Sequence, residues 1–259
     1  MKVVILCGGK GTRLREETEY RPKPMLPIGE RPILWHIMKT YAAQGHKDFI
    51  LCLGYKGDMI RDYFRNYLWH VCDATMHLGR HASVQFHDQH DEEDWSVTLA
   101  ETGADSLTAT RIRRVRRYVE PDEEFLLTYG DGVGDIDVNR AVAEHRRQGA
   151  VCTITAVHPP GRFGEIDLDG GSRVQTFNEK PQVEAGFING GYMVCSRRLF
   201  DYLPEEDAML ETGALRELAH QGLLGAYQHS GFWQPMDTFH EFTILNGMWA
   251  EGKAPWKVW

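Results

Sequence analysis

The first fourteen residues constrain the fold more than any other stretch. Val3-Val4-Ile5-Leu6 is apolar and mostly β-branched with no polar alternation, which fits a strand buried on both faces within a parallel sheet. It runs directly into Cys7-Gly8-Gly9-Lys10-Gly11-Thr12-Arg13-Leu14. Gly8, Gly9 and Gly11 permit a tight turn and close approach of a ligand to the backbone. Thr12 and Arg13 then supply a hydroxyl and a fork of N–H donors suited to phosphate oxygens. Two similar apolar runs follow, 49–53 ending at Gly54 and 125–129 ending at Gly130, while 32–43 and 58–67 have helical spacing. This alternation predicts an α/β fold: a Rossmann-like, mostly parallel mixed sheet flanked by helices, with right-handed crossovers.

The loop matches neither common phosphate scheme. Leu14 stands where the dinucleotide fingerprint needs its last glycine, and Lys10 sits between glycines instead of before a Ser or Thr. Other residues must therefore complete a site. In open parallel sheets, ligands gather at the carboxyl ends of the strands. Asp131, flanked by Gly130 and Gly132, falls at that edge, where a carboxylate can reach a metal ion with little hindrance. Arg21-Pro22-Lys23-Pro24-Met25-Leu26-Pro27 contains three prolines, which predict an extended, stiff segment holding Lys23 as a preorganised cation. Lys180 follows the carboxylate Glu179, and Asp237 lies in the last loop, 231–238. Two aspartates from distant segments with Arg13, Lys23 and Lys180 suit a magnesium-bound polyphosphate.

The second half is richer in strands: 150–157, a hairpin of 165–168 and 174–177 around Gly170-Gly171, 187–194 and 224–228. Helical spacing covers 137–148, closed by Gly149, then 197–203, 212–221 and 239–251. The expected organisation is one domain, 1–259, with a small strand-rich part. A net charge of -8 argues against a nucleic-acid partner held on a broad basic face. The five arginines between Arg111 and Arg117 are read as a solvated helix face. Five scattered cysteines, mostly inside apolar runs, suggest reduced thiols and a cytoplasmic protein. Neither a signal peptide nor a run of membrane-spanning length is expected.

Gly8-Gly9-x-Gly11-Thr12-Arg13-Leu14 followed by Lys23-Pro24-Met25-Leu26-Pro27 resembles the signature of the sugar-1-phosphate nucleotidylyltransferases. Pro159-Pro160-Gly161-Arg162-Phe163-Gly164 and Gly231-Phe232-Trp233-Gln234-Pro235-Met236-Asp237-Thr238 are similar to the glucose-1-phosphate cytidylyltransferase subgroup, and the likeness spans nearly the whole chain. The resemblance implies transfer of a cytidylyl group from CTP to glucose 1-phosphate, with Mg2+ as cofactor, in a homo-oligomer. It implies nucleotide contacts at Leu6, Gly8, Gly9, Gly11, Thr12, Arg13, Lys23, Thr102, Arg111 and Gly130, with Arg13 and Lys23 catalytic. Gly164, Glu179, Lys180 and Asn189 would surround the sugar phosphate, and Asp131 and Asp237 would bind the metal. The chain departs from the subgroup pattern at Ala109-Thr110, Leu210 and Ala214. Those departures leave open another sugar-1-phosphate or another pyrimidine triphosphate. A non-catalytic nucleotide-sugar-binding subunit is the reading from a different class.

Overall fold

The computed structural model describes every residue except 12–17, 80, 81, 88–91, 93, 121, 160–164, 170, 172 and 179–185. Among the described residues the central sheet has seven strands: β1 (Lys2–Leu6), β2 (Asp48–Leu53), β3 (Ser96–Glu101), β4 (Glu124–Tyr129), β5 (Cys152–Val157), β6 (Ile188–Ser196) and β7 (Leu224–His229). They lie in the order β7-β5-β6-β4-β1-β2-β3. β1 runs parallel to β2 and β4, β2 to β3, and β5 to β7; β6 is antiparallel to both β4 and β5. The mostly parallel mixed sheet is the expected one.

β1 is central, as its uninterrupted apolar sequence requires. Val3 and Ile5 pack on one face with Ile33, Ile37 and Met38 of helix α1 (Ile33–Ala43). Val4 and Leu6 pack on the other with Ile112 of a later helix, Thr108–Arg114. All four side chains are buried, and each such side chain is worth roughly 1.5–3 kcal/mol relative to exposure. A polar substitution at any of these four positions would therefore have no face to turn towards. The remaining helices that matter below are α2 (Gly57–Arg65), α3 (Thr108–Arg114), α4 (Val138–Gln148), α5 (Ala214–His220) and α6 (Phe239–Ala250). The hairpin expected around Gly170-Gly171 is present as an antiparallel pair, Glu165–Leu168 with Val174–Asn178.

Two expectations change. The proline-bounded stretch is not wholly extended: Lys23–Met25 forms a single 3-10 turn, with Met25 N donating to Pro22 O at 2.8 Å and Leu26 N to Lys23 O at 3.0 Å. Pro24 is tolerated because an amide in a first helical turn needs no internal partner. The arginine cluster is also not one solvated face, because Arg111 is buried.

The chain's end is fastened to α1 through His36. Its Nε2 lies 3.0 Å from Ile28 O, and Trp256 Nε1 donates to its Nδ1 at 3.4 Å. This pairing requires the neutral ring with its proton on Nε2. Burial pushes the His36 pKa down to about 4. The unfolded chain therefore binds the second, charging proton more tightly, so the stability conferred by the neutral ring is complete above an unfolded pKa of about 6.5 and is lost as pH falls towards 4. We expect His36 to account for a loss of about 3 kcal/mol across that window. Urea unfolding of His36→Gln between pH 6.5 and 4 should show a flatter pH dependence than the parent; an unchanged slope would refute the assignment.

Candidate active site

The parallel strands bring the carboxyl ends of β1, β2, β3 and β4 to one edge, together with the amino end of the antiparallel β6. The glycine loop leaves β1 there. Cys7 N donates to Cys52 O at 3.0 Å and Tyr55 N to Gly8 O at 3.3 Å, so the loop begins as a continuation of the sheet. Gly8 is required by a neighbour: a Cβ there would overlap the Arg111 guanidinium. Gly11 is required by its backbone, which has φ +60°. Gly9, by contrast, faces open space.

Arg111 reaches beneath this loop from α3. Its Nη1 donates to Leu53 O, Thr102 Oγ1 and Gly103 O at 3.0, 2.9 and 2.8 Å, and its Nη2 to Gly8 O and Ala104 O at 3.1 and 3.3 Å. One guanidinium thus ties together the exits of three strands, while also lining the cavity above them. The Thr102 hydroxyl is likewise turned inward, towards Leu53 O. Gly8→Ala should therefore displace a buried cation and cost about 2 kcal/mol. The measurement is the urea midpoint, and wild-type stability would contradict the stacking of Gly8 on Arg111.

Lys23 is buried in its 3-10 turn, and its Nζ donates to Asp131 Oδ2 at 2.7 Å and to Asp237 Oδ1. Burial alone would lower the lysine pKa. The charge of Asp131 and the hydrogen bonds to both carboxylates outweigh it, so the pKa lies above the ordinary lysine value.

The two aspartates meet because their flanking residues pair. Gly132–Gly134 and Trp233–Pro235 form a short antiparallel ladder with Pro235 opposite Gly132, and Met236 N donates to Asp131 O at 2.8 Å. Asp237 then precedes α6, whose start is fixed by a capping box. Glu241 Oε2 accepts from Asp237 N at 2.7 Å and from Thr238 N at 2.9 Å, while Glu241 N donates to Thr238 Oγ1 at 3.3 Å. Asn246 of the same helix bonds Gly29 N and Pro27 O, so α6 is held to the segment that carries Lys23.

Two cavities open on this edge. The larger, about 750 Å³, is lined by the glycine loop, Lys23, Arg111, Gly130 and Leu6. The smaller, about 260 Å³, is lined by Asn189, Gly190, Trp233 and Pro159. Tyr129, Asp131 and Asp237 line both. A larger compartment that carries Lys10, Lys23 and Arg111 and a second, smaller one therefore share a wall that includes two carboxylates.

A profile described as "Nucleotidyl transferase" matches residues 2–242. The chain belongs to this family. It is 49% identical over 259 residues, covering all of both chains, to the glucose-1-phosphate cytidylyltransferase of Salmonella typhi, and equally so to that of Salmonella typhimurium. The crystal structure of HddC from Yersinia pseudotuberculosis complexed with GMP-PN has the same fold, with a TM-score of 0.66 at 21% identity over 96% of this chain and 99% of that one.

In this nucleotidyl transferase, the structure brings together Leu6, Gly8, Gly9, Gly11, Lys23, Arg111, Gly130, Asp131 and Asp237 around the larger cavity, and Asn189 at the smaller one. Thr12, Arg13, Gly164, Glu179 and Lys180 lie outside the described residues. Asn189 Oδ1 accepts from Gly191 N at 2.9 Å, and Trp233 Nε1 donates to Gly190 O at 2.7 Å, which fixes the amino end of β6 beside Asp131.

Among the polar residues of the larger cavity, Thr108, Tyr129 and Glu211 were not among the sequence candidates, nor were Lys10, Asp105 and Ser106. Tyr129 donates to Glu211 Oε1, and Thr108 Oγ1 to Glu211 Oε2 at 3.0 Å. Burial first, and then Glu211, push the Tyr129 phenol above the usual tyrosine range, so it remains a neutral donor. Tyr129 was visible as the last residue of a strand at the ligand edge. Glu211 carried no such signal, since it arrives from a segment about 80 residues downstream.

Proposed function

We propose that this chain transfers a cytidylyl group from CTP to α-D-glucose 1-phosphate, giving CDP-glucose and pyrophosphate. The observation that carries the reading is 49% identity across the whole of both chains to enzymes named for that activity. The site's layout supports it. The larger cavity, with its glycine loop and Lys23, suits a triphosphate, and the smaller one suits a sugar phosphate. The shared wall, to which Asp131 and Asp237 belong, supports a reading in which the reacting phosphates meet there.

The departures from the subgroup pattern lie in the segments that carry the cavity residues Thr108, Arg111, Met209 and Glu211. Ala109, Thr110, Leu210 and Ala214 are all buried, and Ala109, Leu210 and Ala214 belong to the core cluster on the α3 side of the sheet. They change packing beneath the cavity, and none of them lines either cavity. This supports retaining the substrates of the close relatives. We read residues 1–259 as one nucleotidyltransferase domain.

The reaction is an in-line attack by a phosphate oxygen of the sugar on the α-phosphorus of the triphosphate. A phosphate monoester has a second pKa of about 6, so the nucleophile is ionised at neutral pH and needs no general base. The barrier is dominated by repulsion between anions and by charge on the departing pyrophosphate. Lys23 stays protonated through neutral pH and contacts the two carboxylates that line both cavities, where it offsets that charge. Asp131 and Asp237 present hard oxygen donors to one small volume, marked by the Lys23 ammonium, which contacts both. That donor set fits magnesium, which takes one or two carboxylates and fills its shell with water and phosphate oxygens. When bound, the ion would supply Lewis-acid polarisation of the phosphoryl oxygens.

The test is to combine each of the four triphosphates with magnesium and a panel of sugar 1-phosphates, and to measure pyrophosphate. Release with CTP and glucose 1-phosphate far above every other pair is expected. Equal or greater release with UTP, or none with any pair, would overturn the reading.

The resemblance also supports a homo-oligomer. Exposed Trp69, Met76, Leu78 and Val84 around the hairpin Ala74–His77 with Ser83–Phe86 supply an apolar surface for it, and light scattering would read the assembly directly. Cys7, Cys52, Cys152 and Cys195 are free and buried, which supports a reducing, cytoplasmic setting. No helix among the described residues is long and apolar enough to cross a membrane.

A further inference from the structure

We propose that Lys23 is an internal counter-cation that assembles the two-carboxylate site and must be exchanged for the divalent ion, so that metal binding waits for the nucleotide. The inference rests on the metal-assisted reading above. Its basis is the position of one ammonium. Lys23 Nζ contacts Asp131 Oδ2 at 2.7 Å and also Asp237 Oδ1, so it stands where an ion bridging those carboxylates would stand. Two carboxylates held this close repel each other unless a positive charge lies between them. Their backbones are held close by the Pro235–Gly132 ladder and by the capping box of α6, so only rotation of two short side chains could separate them. The lysine backbone is equally fixed by Pro22 and Pro24 and by its own 3-10 turn, whereas its four-carbon side chain retains several staggered conformations.

The larger cavity gives that side chain somewhere to go. Lys23 lines it beside Gly8, Gly9 and Gly11, where a triphosphate would lie. A phosphate oxygen arriving there competes with the aspartates for the ammonium, and the divalent ion that accompanies the triphosphate takes its place between them. The exchange conserves charge pairing at both ends. The lysine moves from carboxylate to phosphate, and Asp131 and Asp237 would be left to hold the ion. Without nucleotide, a free divalent ion must expel Lys23 into a cavity whose described carboxylates are already engaged, Asp105 by Lys10 and Glu211 by Tyr129 and Thr108, so it binds weakly. The device keeps the site organised while it is empty of substrate, and makes metal and nucleotide bind as a pair.

Electron paramagnetic resonance of free Mn2+ tests this without turnover, using the full chain with and without the non-reacting analogue α,β-methylene-CTP. The parent should bind Mn2+ weakly alone and much more tightly with the analogue. Lys23→Met, which keeps length and removes charge, should bind Mn2+ alone at least about tenfold more tightly than the parent. Its gain from the analogue should be correspondingly smaller. Lys23→Arg should remain weak without nucleotide. Should Lys23→Met fail to fold, Lys23→Gln serves, since its amide can donate to a carboxylate without carrying charge. Mn2+ affinity in the neutral variants equal to or below the parent's overturns the counter-cation role alone. Failure of the parent to bind Mn2+ even with the analogue overturns both this role and the metal-assisted reading.

Discussion

Replacing Lys23 by alanine should lower kcat by about two to three orders of magnitude, the range seen when one preorganised donor to a developing oxyanion is removed. The side chain is buried, its ammonium contacts both site carboxylates, and it lines the cavity assigned to the triphosphate. Because the two carboxylates push its pKa above the ordinary lysine value, its charge is present throughout neutral pH. The sign follows from the raised value: the stability it confers is complete below the unfolded lysine pKa and is lost only as pH rises through the higher, folded one. The deficit in the variant should therefore be flat between pH 6 and 9, which separates electrostatic stabilisation from proton transfer. Steady-state pyrophosphate release at saturating magnesium reads the effect. A variant within tenfold of the parent would remove Lys23 from the catalytic machinery.

The sequence disclosed the frame well because burial on both faces leaves a simple signature. The runs 49–53 and 125–129 were legible as β2 and β4 for the same reason as β1: they have no polar face to hide. The ligand edge followed, since once the strands are parallel their carboxyl ends coincide, and Asp131 is two residues past one of them. Short pairings were not legible. The ladder of Gly132–Gly134 with Trp233–Pro235 is three residues a side, contains glycine and proline, and has no alternation to read, so 231–238 looked like a plain loop. Yet that ladder is what brings Asp237 to Asp131.

Arg111 was obscured for another reason. Five arginines in a short stretch resemble a solvated face, and only the tertiary fold reveals that one of them points inward to carbonyls of three strand exits. Charge clusters record composition, and they do not record which member has backbone acceptors within reach. The same holds for Tyr129 and Glu211, whose pairing depends on a downstream segment folding back over α3.

Asp131→Asn and Asp237→Asn should each lower kcat by at least about a thousandfold, because each removes half of the charge that positions a divalent ion worth several kcal/mol of transition-state stabilisation. The two should differ in what else they disturb. Asp237 precedes α6 and is tied by its own N–H to Glu241, so its backbone is held whatever its side chain becomes. Asp131 sits on the end of β4, and its carbonyl accepts from Met236 N, a bond the side-chain change leaves intact. Neither variant should unfold, and thermal midpoints close to the parent's would establish that. The double variant distinguishes a shared ion from two separate roles. Carboxylates that hold one ion act as a unit, so the second replacement should add little to the first, whereas independent contributions would multiply. A double variant slower than either single one by a further factor of about a thousand would separate the two aspartates and break the single-ion reading. A double variant no worse than the singles would place both carboxylates on one cation, the position that Lys23 holds between them in this structure.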